Sequence, residues 1–224
     1  MRVKVNGVEL FYEKTGSGPP LLLLHGNSED HHIFDKIAEK LAPTYTLYAL
    51  DSREHGESEK SGVFSYDVMA EDVYGFITAL GLGKVNLVGF SDGAILGLLL
   101  GLRRPGVLRK MALLGPNLSP EDLTEEAVAF VKSLAAESEN PLLELIFREP
   151  HIELKSLGAI TIPCLVVAGE NDLFKPEVMP GIAQALPKAE LKILAGHDHM
   201  SYIVDNDLLA PDLIRFFGSG SVKS

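Results

Sequence analysis

Two short stretches of this chain carry side chains that could do chemistry. The first, Gly89-Phe90-Ser91-Asp92-Gly93, is a G-x-S-x-G turn between an apolar run, Val85–Val88, and an apolar helical segment, Ala94–Leu102. A serine in that setting stands on a sharp turn, exposed at the strand's carboxyl end and at the positive end of the helix. A hydroxyl alone is a poor nucleophile: it needs a base within hydrogen-bond reach, and the base needs an acid to orient it. The second stretch, Gly196-His197-Asp198-His199, offers two candidate bases. The acid should come from another strand end, and Asp172 closes Gly169-Glu170-Asn171-Asp172 after the apolar run Leu165–Ala168. Asp198, Asp205 and Asp207 compete, but they lie too close in sequence to the histidines to have a strand end of their own. The histidine pair could instead hold zinc, which needs three or four ligands converging at about 2 Å. Gly196 suggests a loop there and Cys164 lies in an apolar run, so neither a metal nor another cofactor is expected.

These groups need a scaffold that gathers strand ends. Val3–Val5 and Val8–Tyr12 flank Asn6-Gly7, the signature of a hairpin. Leu21–Leu24, Tyr45–Leu50, Val85–Val88, Met111–Leu114, Leu165–Ala168 and Leu191–Leu194 read as strands. Helical spacing of apolar residues falls between them, at 33–41, 66–80, 94–102, 177–186 and 208–217. Alternating strands and helices after an opening hairpin predict an α/β fold: a mostly parallel, doubly wound sheet with an antiparallel edge and helices on both faces. The glutamate-rich stretch 117–157 interrupts the alternation and is expected to form a small helical lid within a single domain, 1–217, followed by a flexible tail, 218–224.

The chain has 224 residues, 46% hydrophobic and 23% charged, with a net charge of −11. Such an acidic surface argues against nucleic acid and anionic membranes as partners and leaves a small-molecule substrate open. The longest apolar stretch, Ala94–Leu102, is too short to span a bilayer. A lone cysteine and an opening MRVKVNGVEL without an apolar leader point to the cytoplasm. Nothing in the sequence bears on oligomeric state.

Leu24-His25-Gly26-Asn27, Asp51-Ser52-Arg53 with His55-Gly56-Glu57-Ser58, Gly89–Gly93, Gly169–Asp172 and Gly196–His199 together resemble the α/β-hydrolase fold enzymes from end to end. The resemblance implies Ser91 as nucleophile and Asp172 as acid. Alignment of Leu194–His199 on the family's last loop implies His199 as base, with His197 in the middle of the turn. It also implies the backbone N–H groups of Asn27 and Asp92 as oxyanion donors, each worth roughly 3 kcal/mol in related chemistry. One position departs from the family's Asp-x-Arg-Gly-x-Gly-x-Ser: Glu54 replaces the first glycine, which bears on the shape of that loop. The implied activity is hydrolysis of a carboxylic ester through an acyl-enzyme. Thioester, lactone, carbon–carbon and peracid reactions use the same residues. A serine nucleophile argues against dehalogenase and epoxide hydrolase chemistry. A non-catalytic small-molecule receptor is the reading from another class. His25 and His55 are expected to hold loops, His31 and His32 to be solvated, and His151 to have no role. The Asp92 side chain either disfavours anionic acyl groups and favours cationic ones, or points away and hydrogen-bonds neighbouring backbone.

Overall fold

Asn6 and Gly7 both take positive φ, 47° and 85°. They fold β1 (Arg2–Val5) back on β2 (Val8–Gly16) as an antiparallel pair with Val5 opposite Val8. β2 then runs antiparallel to β4 (Thr46–Leu50). From there every pairing is parallel: β4 with β3 (Pro20–Leu24), then β5 (Val85–Phe90), β6 (Leu108–Leu114), β7 (Cys164–Asn171) and β8 (Ala189–Asp198). The computed structural model, described here for residues 1–138 and 140–218, thus holds one eight-stranded sheet in the order β1-β2-β4-β3-β5-β6-β7-β8.

The apolar runs are continuous because both faces of the central strands are covered. Leu22, Leu24, Leu87 and Leu113 enter one core with α2 (Tyr66–Ala79), α3 (Asp92–Arg103) and α6 (Val178–Ala185). Their neighbours Leu21, Leu23, Val88 and Leu114 enter a second core with α1 (Asp35–Leu41) and α7 (Ala210–Gly218). Side chains alternate faces along a strand, so each run feeds both cores. Among the described residues no helix is long and apolar enough to cross a membrane.

Between β6 and β7 the chain makes a 3₁₀ turn at Pro120–Asp122, α4 (Glu125–Ser138), α5 (Pro141–Leu145) and a second 3₁₀ segment, Leu154–Ala159. The stretch expected to be helical within 117–157 is therefore helical in separate pieces, with a 3₁₀ turn before α4 begins at Glu125. β8 is longer than Leu191–Leu194: it continues through Gly196 to Asp198, which pairs with Asn171 across an irregularity between Gly169 and Asn171. The glycine after Ala195 shapes a strand here and does not begin a loop. The expected tail lies, apart from Gly218, outside the described residues.

Candidate active site

β5 ends at Phe90, and Ser91 takes φ 50°, ψ −113°, a strained backbone for a residue with a side chain. Its N–H donates to Leu114 O at 2.8 Å, while its carbonyl accepts from Ala94 and Ile95 N–H, so strand and helix both pin the turn. The flanking glycines are required by contact. A Cβ on Gly89 would lie 2.2 Å from Gly93 O, and one on Gly93 would lie 2.0 Å from Leu24 O.

Three carboxyl ends of parallel strands then converge. Ser91 Oγ lies 3.1 Å from His199 Nε2, and His199 Nδ1 lies 2.7 Å from Asp172 Oδ1. Asp172 follows β7 and His199 follows β8. The Asp172 carboxylate also accepts from Leu173 N–H at 2.8 Å and Gly169 N–H at 3.2 Å, which fixes its plane. The side chains of both His199 and Asp172 are buried. Phe90 and Phe174 pack against the imidazole, with ring centroids 4.9 Å and 5.5 Å away. A third contact was not marked by any motif. Gly115 follows β6 with φ +59°, and a Cβ there would meet His199 Cε1 at 2.6 Å and Nδ1 at 2.9 Å. A glycine directly after a strand that ends beside Ser91 is the signal that could have found it. His197 is not in this relay: its Nδ1 bonds Ser201 Oγ at 3.1 Å.

The loop after β3 faces the turn from the other side. Neither Asn27 nor Asp92 donates its backbone N–H to an acceptor among the described residues. The Asn27 amide nitrogen donates to Asp92 Oδ2 at 3.1 Å and to Leu142 O at 2.9 Å. Tyr66 hydroxyl donates to Asp92 Oδ1 at 2.7 Å. Of the two fates expected for the Asp92 side chain, it points away from the cavity, but its partners are the Asn27 and Tyr66 side chains and not the neighbouring backbone. Burial raises its pKa above the ordinary carboxylate range, with the Tyr66 hydrogen bond the first of the opposing effects.

Supporting loops explain the remaining histidines. His25 Nδ1–H donates to Gly26 O at 2.7 Å, and its Nε2 accepts from Ser52 N–H at 3.0 Å. Burial, with His55 close by, lowers its pKa to about 4, so it keeps the neutral form that this acceptor role needs. His55 Nδ1–H donates to Arg53 O at 2.8 Å. His31, expected to be solvated, is instead buried with its Nδ1 2.8 Å from Asp51 Oδ1. Asp51 also accepts from the N–H of His31 and of Glu57, which ties two loops together. Arg53 and Asp72 form a buried bidentate pair that anchors the second loop to α2. Glu54 keeps the left-handed backbone, φ 68°, that a glycine would take. Its carboxylate accepts from Ser61 N–H, Ser61 Oγ–H and Gly62 N–H at 2.6–2.9 Å, which offsets that strain. The replacement of glycine thus leaves the turn in place.

Ser91 and His199 open into a cavity of about 490 Å³. Its walls are mainly apolar, with Phe130, Leu134, Leu143 and Ile146 supplied by the β6–β7 insertion. Asn140 Nδ2 donates to Ser28 Oγ at 2.8 Å, so the insertion is tied to the loop after β3 at a second point beside Asn27. One polar wall group was missed in the sequence: Glu29, whose carboxylate Oε2 accepts from Gly26 N–H at 3.0 Å. Asp30, His31 and His32 bring potential ligand atoms within 4.8 Å of one another. None of the three lines this cavity, Asp51 and Asp35 already engage the two imidazoles, and the Asp30 carboxylate accepts from His32 N–H to cap the 3₁₀ turn His31–Phe34 that leads into α1.

A family model described as alpha/beta hydrolase fold matches residues 19–147, more than half of the chain. Among curated relatives, the 2-(acetamidomethylene)succinate hydrolase of Mesorhizobium japonicum is 31% identical over 111 residues, covering 49% of this chain and 40% of the relative. The sn-1-specific diacylglycerol lipase ABHD11 of Mus musculus is 29% identical over 144 residues, covering 62% and 44%. The matched stretch spans less than half the length of either relative. Among solved structures, the enol-lactonase of Burkholderia xenovorans LB400 superposes with a TM-score of 0.83 at 21% identity, covering 98% of this chain and 100% of the other. An esterase of Thermogutta terrifontis gives 0.81 at 22%, covering 97% and 98%.

Proposed function

Because this chain belongs to the alpha/beta hydrolase fold family, we propose that it is a serine hydrolase that cleaves a carboxylic ester, or a related acyl bond, of a small apolar molecule. Its matched relatives include enzymes named as hydrolases, which supports hydrolysis as the reaction type. The observation that carries the finer reading is the unbroken hydrogen-bond relay from Ser91 Oγ through His199 to Asp172, standing at the floor of an apolar cavity.

In this reading Ser91 Oγ attacks the carbonyl carbon while His199 Nε2 takes its proton. Asp172 holds the imidazole with Nδ1–H toward itself and stabilises the imidazolium. The oxygen that becomes negative accepts from the Asn27 and Asp92 backbone N–H groups. Asn27's side-chain bonds to Asp92 and Leu142 keep that loop where the first donor is needed. The tetrahedral species collapses, the alcohol leaves with the proton from His199, and Ser91 is left acylated. Water then attacks, His199 accepts its proton and returns it to Ser91 Oγ, and the carboxylic acid departs. The insertion at 117–157 acts as a lid over the acyl or alcohol chain, and Phe130, 62% exposed, sits at its rim.

A panel of p-nitrophenyl esters from acetate to octanoate, tested with wild type and Ser91→Ala, checks the proposal. Hydrolysis that peaks at a medium chain and vanishes in a folded Ser91→Ala supports it. Equal hydrolysis by both proteins refutes it, and no hydrolysis by either would favour a binding protein.

A further inference from the structure

Glu29 is an acidic side chain in an apolar cavity with no cation paired to it among the described residues. Its position is built. Glu29 N–H closes a turn onto Gly26 O, and its own Oε2 reaches back to Gly26 N–H at 3.0 Å. That leaves Oε1, which takes no hydrogen bond from the described residues and is not sealed from solvent, on a residue that lines the cavity containing Ser91. The loop that carries Glu29 also carries Asn27, and both residues line the cavity together with Ser91 and His199.

We propose that Glu29 is the specificity-determining group of this cavity: its carboxyl, in the neutral form, donates a hydrogen bond to an oxygen acceptor near the scissile carbonyl of an otherwise apolar ester. The inference rests on the serine hydrolase reading of the same site. The electrostatic surroundings favour the neutral form. Burial raises the carboxyl to about 8, with the Asp92 and Asp30 carboxylates adding to it and the Gly26 N–H opposing. Asp30 belongs to the same loop and Asp92 to the start of α3. The same cavity is lined by Asp198, the last residue of β8, and by His199 directly after it, and the buried Tyr202 phenol is near enough that Glu29 helps to raise its pKa. A neutral carboxyl can keep Oε2 as acceptor for Gly26 N–H and present Oε1–H to the substrate. Filling the cavity with hydrocarbon alone would strand that donor, and a site built to hydrogen-bond its substrate discriminates strongly against analogues that lack the partner. Deprotonation removes the donor and sets a negative charge against the substrate oxygen.

The test uses two matched pairs in which one ether oxygen replaces one methylene. On the acyl side these are p-nitrophenyl pentanoate and p-nitrophenyl 3-methoxypropanoate; on the alcohol side, butyl butanoate and 2-methoxyethyl butanoate. The ratio of kcat/KM within each pair is measured from about pH 6 to 9.5 for wild type, Glu29→Gln and Glu29→Leu. Taking the ratio inside one protein cancels any general loosening of the loop. In at least one pair the wild-type ratio should exceed that of Glu29→Leu about tenfold near pH 7, and the margin should collapse as pH passes about 8. Glu29→Gln, which can accept from Gly26 and donate to the substrate but cannot ionise, should hold the margin at every pH. Equal ratios in wild type and Glu29→Leu for both pairs overturn the inference, as does a wild-type margin that Glu29→Gln reproduces together with its alkaline loss. Hydrolysis of the all-carbon esters by wild type is the internal control. Its absence would overturn the hydrolase reading and this inference with it, whereas its presence beside equal ratios overturns this inference alone.

Discussion

Gly115→Ala probes the relay without substituting any of its members. The added Cβ would stand 2.6 Å from His199 Cε1 and 2.9 Å from Nδ1. Carbon atoms in contact sit about 3.5–4.0 Å apart, so the ring or the strand end must yield by roughly 1 Å. The ring is hemmed in by Phe90 and Phe174. A shift away from Gly115 would disturb the 3.1 Å contact with Ser91 Oγ or the 2.7 Å contact with Asp172, or both. A misplacement of about 1 Å in a catalytic constellation can cost on the order of 100-fold in rate. The φ of +59° adds roughly 1–2 kcal/mol of backbone strain for any residue with a Cβ. Gly81 supplies the control, since its φ is +62° and a Cβ there meets nothing within 4 Å. Gly81→Ala should therefore pay the backbone strain alone. Steady-state kinetics on a p-nitrophenyl ester, with urea unfolding of both variants, separates the two effects. Gly115→Ala should lose about 100-fold in kcat with KM little changed, while Gly81→Ala keeps wild-type kcat and loses only stability. A folded Gly115→Ala with kcat within about threefold of wild type would refute the claim that the imidazole's position limits turnover.

His199→Ala should lower kcat by several orders of magnitude and His197→Ala by less than about tenfold, because only His199 joins Ser91 to Asp172; the reverse ranking in the same ester assay would mean that the relay is not the catalytic one. His25, held near 4 by burial, is neutral in the folded chain, so the stability it contributes is complete above its unfolded value of 6.5 and is lost as pH falls from 6.5 through 4. Urea melts should show wild type losing more stability across that window than His25→Asn, and parallel curves would contradict the assignment. Glu29, raised to about 8, acts in the opposite sense: the folded state retains a proton that the unfolded chain releases near 4.5, so wild type should lose stability relative to Glu29→Gln as pH rises from 4.5 to 8. A stability difference that does not change with pH would show that the Glu29 carboxyl ionises as it does in water.

What was legible in the sequence was mostly local. The turn that carries Ser91 announces itself because strand, glycines and helix are contiguous, and the order Ser, Asp, His follows from strand ends that each lie within a few residues of an apolar run, whereas His199 rather than His197 came from the family resemblance. The sheet was legible for the same reason, since strands buried on both faces leave runs such as Leu21–Leu24. What stayed hidden depends on partners far along the chain. His31 looked solvated because its partner, Asp51, is 20 residues away and arrives only when β3 and β4 pair. Glu29 drew no attention because its acidity is set first by burial and then by the Asp92 carboxylate of another element, neither of which its own stretch of sequence shows. Gly115 reads as an ordinary residue after a strand until the imidazole is seen against it. The true end of β8 was masked by Gly196, since a glycine that begins a loop and one that bends a strand look alike in sequence.

The central claim is that Ser91 is an activated nucleophile. A fluorophosphonate reacts with a serine hydroxyl only where a base withdraws its proton and donors stabilise the phosphoryl oxygen, so it reports the relay and the Asn27 and Asp92 N–H groups in one step. Intact-mass and peptide-mapping spectrometry after exposure to such a probe should show one adduct, on Ser91, formed within minutes in wild type and absent from heat-denatured protein and from Ser91→Ala. A folded wild-type chain that stays unlabelled, or that is labelled equally well in Ser91→Ala, would contradict it.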